Sequence, residues 1–244
     1  MNKPRINLAL VGMARSGTTM LGDLLTDVPA HRLCLSEPRL HSKKPYRDSK
    51  REEFALSGLP GVECPRDIEE RMPSFARCGV KEVRSRNIKR LYSRFEVEKT
   101  IVLVRDARAC LLSYHTKRKT SHAKHKPFPG KLFVRTNRTI FKLLDSLPDH
   151  SSRLVRYEEL VSDESVRGGL AEWLAWPLNG DVTSVMRVRG RGTETDQHGG
   201  KVSTASLDRA ETPPTDAQRV ELGPVLGKLR AFQERFGYPT DFAK

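Results

Sequence analysis

Short apolar runs alternate with amphipathic stretches along this chain. Residues 6–11, 32–36, 78–83, 99–104 and 154–157 each read as a strand. The run at 6–11 and the clearer one at 99–104 have the apolar character of strands covered on both faces. The latter is expected at the centre of a sheet. After the first run, Met20, Leu21, Leu24 and Leu25 fall on one side of a helix. Further helical stretches follow at 84–95, 107–115, 132–147, about 158–162 and 165–175. A terminal helix at 215–236 is stopped by Gly237 and Pro239. Strand and helix alternate without an internal repeat. That order predicts an α/β chain, a three-layer parallel sheet of about five strands flanked by helices, in one domain spanning 1–244.

Three segments lack this periodicity. Residues 41–75 are polar, basic and proline-rich, which suggests an insertion or lid with a helix near 67–71. Residues 117–131 form a basic loop bearing prolines. Residues 185–206 are glycine-rich and basic, so the C-terminal part, about 185–240, reads as a loop followed by a helix. Lys and Arg number 44 against 30 Asp and Glu, a net charge of +14. Such a surplus favours anionic partners: nucleic acid, an acidic lipid surface, an acidic polysaccharide or a polyphosphorylated nucleotide. No zinc-finger spacing or aromatic RNA-binding run is present, so nucleic acid is not expected. Cys34, Cys64, Cys78 and Cys110 show no metal-ligand pairing, which predicts no metal and a reducing compartment. The first apolar run is too short for a signal segment, and no run is long enough for a membrane span. The chain is therefore expected to be cytoplasmic.

The candidate chemistry begins where the first strand ends. Gly12 and Gly17 have the separation of a nucleotide phosphate loop, G-x-x-x-x-G-K-[ST], but Thr18 stands where that loop has lysine. Arg15 is the loop's cation, and Ser16, Thr18 and Thr19 add hydroxyls at the helix start. Strand, glycine turn and helix aim backbone N–H groups at one anion. The residues thus suit a phosphate without suiting an ordinary nucleoside triphosphate; the plain alternative is a tight turn with no ligand. Glu37-Pro38 ends the second strand, on the edge where open α/β sheets bind ligands. Arg105 closes the 99–104 strand, with Ser113 about two helical turns further on. Arginine and serine could share an anion there. Equally, Asp106 could cap the helix and pair with Arg108 or Arg105, leaving Ser113 exposed.

Taken together, these motifs resemble the sulfotransferase family. Arg15-Ser-Gly-Thr-Thr19 is similar to its 5′-phosphosulfate loop, and Arg105 with Ser113 to its 3′-phosphate motif. Ser36-Glu-Pro38 resembles an element of carbohydrate and bacterial members. The segment 79–84 resembles the strand that follows that element, and 156–160 the strand-to-helix segment after the 3′-phosphate site. The resemblance covers residues 6 to about 162. It implies a P-loop fold like that of nucleotide kinases and, as donor, 3′-phosphoadenosine-5′-phosphosulfate (PAPS), with no metal required. Arg15, Ser16, Gly17, Thr18 and Thr19 would hold the 5′-phosphosulfate, and Arg105 and Ser113 the 3′-phosphate. Cytosolic members carry a lysine at the place of Arg15 and a catalytic histidine two residues beyond a lysine. Here Lys81 is followed at that distance by Val83.

Glu37 is therefore the expected base, able to take a hydroxyl proton if burial raises its pKa. His41 is the alternative base, and an ion pair of Glu37 with Arg15 or Arg39 the plain alternative. Residues 187–206, with Lys201 and Ser203, are a candidate cover for the adenine and 3′-phosphate. The expected acceptor is a hydroxyl, most simply on a carbohydrate, with an acidic saccharide among the candidates. Two other classes stay open: a P-loop small-molecule kinase, and a non-enzymatic basic module that binds polyanions.

Overall fold

A computed structural model describes residues 3–40, 44–119, 127–179, 207 and 213–242. Five parallel strands form one sheet: β1 (Arg5–Gly12), β2 (Arg32–Ser36), β3 (Arg77–Glu82), β4 (Glu96–Val104) and β5 (Ser152–Arg156). Their order across the sheet is β2-β3-β1-β4-β5. The middle strand is thus β1, with β4 one place away, which corrects the expectation for residues 99–104. An apolar run identifies a strand with neighbours on both sides. It does not identify which interior strand that is. Leu8 and Leu10 of β1 bury to one face with Leu21, Leu24 and Leu174. Ala9 and Val11 bury to the other with Ile88, Phe133 and Phe232. Helices on both faces account for the three layers.

The connections place the ligand edge. After β1 the chain runs through α1 (Thr18–Leu24) to the β2 side. After β4 it runs through α5 (Ala107–Lys119) and α6 (Gly130–Ser146) to β5 on the other side. Chains leaving neighbouring strands in opposite directions open a crevice beyond their carboxyl ends. Gly12 pairs with Leu103 in this register, so the glycine loop and Arg105 emerge side by side.

Most remaining elements match the sequence reading. They are α3 (Pro65–Arg71) with a 3-10 turn at Met72–Ser74, α4 (Ser85–Arg94), α7 (Tyr157–Ser162) and α8 (Glu164–Leu174). Two do not. A helix, α2 (Asp48–Leu56), lies within the polar 41–75 segment. Its one fully buried aromatic is Phe54, packed edge-on against Tyr46 at 4.8 Å between ring centroids. One buried residue gives no 3.6-residue stripe to read. The terminal helix is two helices, α9 (Asp216–Gly227) and α10 (Arg230–Arg235), separated by a tight turn in which Lys228 N–H donates to Val225 C=O at 3.1 Å. Cys34, Cys78 and Cys110 are buried in the two cores. Among the described residues no helix is long and apolar enough to cross a membrane. His41, residues 120–126 of the 117–131 loop and all of 187–206 lie outside the described residues.

Candidate active site

The loop after β1 is held by the two glycines that the sequence singles out. Gly17 has φ +92°, and a Cβ there would stand 2.2 Å from the Tyr157 ring. A side chain at Gly12 would meet Ser16 Oγ at 2.5 Å and the Leu103 carbonyl at 2.6 Å. Gly17 excludes a Cβ for conformation and for space, and Gly12 for space. Gly17 caps α1 and no side chain bonds its first N–H groups, which leaves helix-start donors without an intrahelical partner. Ser16 is fully buried and its hydroxyl has no partner among the described residues. A buried hydroxyl without a partner is costly. A ligand oxygen at the loop would satisfy it, so the residues present fit a bound phosphosulfate.

Arg15 sits at φ +70° on the exposed side of the loop. Its Nε donates to Ser113 Oγ at 3.0 Å. Arg105 is buried; it donates through a terminal guanidinium nitrogen to the Arg15 carbonyl at 3.3 Å, and its guanidinium lies 4.3 Å from the centre of the Tyr157 ring. The two motifs read separately from the sequence thus meet at one point. The capping alternative also holds. Asp106 accepts from Arg108 N–H at 2.8 Å and binds the Arg108 side chain at 2.7 Å. Gln233 adds a bond from α10 at 2.8 Å. Asp106 caps α5 while Ser113 faces the loop, so the cap and the anion site coexist.

The sequence does not single out Tyr157 for this role. Its ring packs under Gly17 and flanks Arg105. The only signal is its place directly after β5, where a buried aromatic reaches the ligand edge.

Glu37 stands on the carboxyl edge, but not beside β1. β3 lies between them, because β2 pairs with β3 and Ser36 is in register with Lys81. Sequence order places β2 after β1, whereas the sheet inserts β3 there. The ion-pair partner of Glu37 is Lys81, whose Nζ donates to Glu37 Oε1 at 2.6 Å. Lys81 is buried, whereas the Glu37 side chain is 35% exposed. Burial alone would raise the Glu37 pKa. Lys81, with Arg84 and Lys50 behind it, outweighs that and holds the carboxyl below its usual range. This corrects the expectation that burial raises it.

Glu82, next to Lys81, behaves in the opposite way. It is fully buried, and burial pushes its carboxyl up to about 8. Asn87 Nδ2 donates to Glu82 Oε2 at 2.8 Å, while Glu82 Oε1 and Asn87 Oδ1 have no partner among the described residues. Two buried acceptors without a donor favour a proton on the acid. A carboxyl whose pKa is higher in the folded state is bound more tightly to its proton there. Stability should therefore fall as pH rises from about 4.5 to about 8. We expect Glu82→Gln to flatten this decline in the unfolding midpoint. An unchanged slope in the variant would assign the decline to another group.

These features define a class: a parallel α/β domain with a glycine loop at its switch point, threonine where the nucleotide loop has lysine, and Arg15 as the loop's cation. The fold is that of the sulfotransferases. A sulfotransferase domain from the Synechococcus PCC 7002 olefin synthase aligns over 98% of this chain and 97% of its own, at TM-score 0.66 and 16% identity. One from the curacin biosynthetic pathway aligns over 98% and 99%, at 0.67 and 14%. A mouse sulfotransferase complexed with PAP aligns over 97% and 90%, at 0.53 and 12%. No protein-family profile matches the chain, and no curated protein matches it in sequence.

Proposed function

We propose that this protein is a sulfotransferase that moves a sulfuryl group from PAPS to a hydroxyl acceptor. The observation that carries the reading is the meeting of Arg15, Ser113 and Arg105 at the switch point, in the loop where the buried Ser16 hydroxyl has no partner among the described residues. The fold it shares with a mouse sulfotransferase complexed with PAP supports the same donor. Ser16, Gly17, Thr18 and Thr19 would hold the 5′-phosphosulfate. Arg105 and Ser113 would hold the 3′-phosphate.

The chemistry suits these residues. Negative charge develops on the leaving phosphate oxygen as the sulfuryl group departs. Backbone N–H groups and one arginine can stabilise it. On the acceptor side, Glu37 takes the hydroxyl proton, with Lys81 fixing the carboxylate and keeping it ionised. A carbohydrate hydroxyl is the acceptor we favour, because the Ser36-Glu-Pro38 element resembles that of carbohydrate members.

A binding comparison tests the donor. Adenosine 3′,5′-bisphosphate should stabilise the protein in a thermal shift assay, and AMP far less, because AMP lacks the phosphate that Arg105 and Ser113 would meet. Charge-assisted hydrogen bonds of this kind are worth about 1.5–3 kcal/mol, roughly ten- to a hundred-fold in affinity. Equal stabilisation by the two nucleotides would remove the 3′-phosphate site. Transfer should also persist in EDTA; complete loss would return the kinase reading.

A further inference from the structure

Beside Glu37 the structure opens a cleft of about 600 Å³ between the end of β2 and the start of α2. That is room for one or two sugar-sized groups. Glu37, Arg39, Lys44, Arg47, Lys50 and Glu53 bring the charges to its wall. One of these cations, Lys50, and both carboxylates are held in ion pairs. Glu37 is held by Lys81 from below at 2.6 Å, and Lys50 binds Glu53 at 2.8 Å. Neither Arg39 nor Arg47 pairs with a carboxylate among the described residues, and both are exposed. Pairing therefore leaves the cleft a surplus of positive charge, to which Arg39 and Arg47 contribute two guanidinium groups.

The backbone brings this about. Glu37 and Arg39 both take positive φ, +46° and +53°, on either side of Pro38. Non-glycine residues rarely adopt that region. The Tyr46 hydroxyl donates to the Pro38 carbonyl, tying the bend to the chain that leads to Arg47. The bend thus puts the candidate base and a guanidinium on the wall of one cleft.

Guanidinium groups are planar donor forks that match carboxylate, phosphate and sulfate oxygens. We infer that the acceptor is a hydroxyl compound carrying an oxyanion, which Arg39 and Arg47 bind while its hydroxyl lies at Glu37. The inference rests on the sulfotransferase reading for the role of Glu37. The oxyanion site itself stands on the cleft and its charges.

Binding to the protein loaded with adenosine 3′,5′-bisphosphate tests it by calorimetry. The probes are a galacturonic acid trimer (carboxylates), glucose 6-phosphate (phosphate) and maltotriose (neutral). At least one anionic probe should bind ten-fold or more tighter than maltotriose, and which one does so distinguishes carboxylate from phosphate. The double variant Arg39→Gln/Arg47→Gln should lose that preference and keep its stabilisation by adenosine 3′,5′-bisphosphate. Arg138→Gln/Lys142→Gln removes the same charge from the exposed face of α6 and should keep the preference. That control separates a site from the general pull of a chain at +14.

The inference is overturned if all three probes bind alike or none binds. It is also overturned if the preference survives in the Arg39/Arg47 variant, or if the α6 control loses it equally. Failure of the bisphosphate to stabilise the wild type would instead strike the sulfotransferase reading, with the probe preference still measured on the unloaded protein.

Discussion

Glu37→Gln should lower kcat by about a hundred- to ten-thousand-fold, the range for loss of a positioned base, while adenosine 3′,5′-bisphosphate binds as in wild type. The substitution is chosen for what it preserves. A glutamine oxygen can still accept from Lys81 Nζ, whose partner in the native protein is Glu37 Oε1 at 2.6 Å. Truncation to alanine would leave the buried Lys81 ammonium without this partner and destabilise the protein, by less than the about 3–5 kcal/mol of a fully buried pair because Glu37 is partly exposed. Activity lost in that variant could then reflect folding alone. The Gln variant should keep an unfolding midpoint near wild type.

The pH profile supplies an independent check. A base must be ionised to act, and the Glu37 carboxyl is held below the usual carboxylate range. Its contribution should therefore persist as pH falls to that range and be lost only below it. An acid limb near neutrality that remains in Glu37→Gln would assign the proton to another group, with His41 the next to test. Near-normal kcat in the variant would end the assignment of Glu37 outright.

Much of the fold is visible in the chain because parallel strands buried on both faces read as plain apolar runs. Leu8 to Val11 and Ile101 to Val104 are fully or almost fully buried, and nothing polar interrupts them. Lateral order is not written in such runs. Only the register of Ser36 with Lys81 and of Val11 with Glu82 shows that β3 separates β2 from β1. The candidate anion site was legible in its parts, since glycine spacing and strand-end arginines are local. Its closure was not. The Arg15–Ser113 bond joins residues far apart in sequence, and either could have faced solvent alone. The role of Lys81 was hidden for a related reason. In β3 it reads as one of two adjacent polar residues, Lys81 and Glu82, and its meaning depends on the carboxylate that the β2–β3 pairing sets against it. The helix α2 escaped because its packing rests on Phe54, one residue in a polar stretch.

Arg15→Ala should cost turnover far more than ligand affinity. The side chain lies on the exposed side of the loop, with its Nε bonded to Ser113 Oγ, next to the helix-start N–H groups that would meet the 5′-phosphosulfate. In the bound donor the charge on the bridging oxygen is small; it grows as the sulfuryl group leaves. An interaction that strengthens along this path lowers the barrier more than it tightens binding. Loss of one such donor costs about a hundred- to a thousand-fold in kcat in comparable sites. Binding of adenosine 3′,5′-bisphosphate should weaken much less, because Arg105 remains buried against the Tyr157 ring. Arg15→Lys restores a cation at the same place and should recover part of the rate, though its single ammonium lacks the fork that can reach Ser113 and the phosphate together. A variant with normal kcat and only a raised KM for the donor would make Arg15 a ground-state binder. Equal loss in the Lys and Ala variants, with binding intact, would instead show that the guanidinium geometry rather than its charge carries the effect.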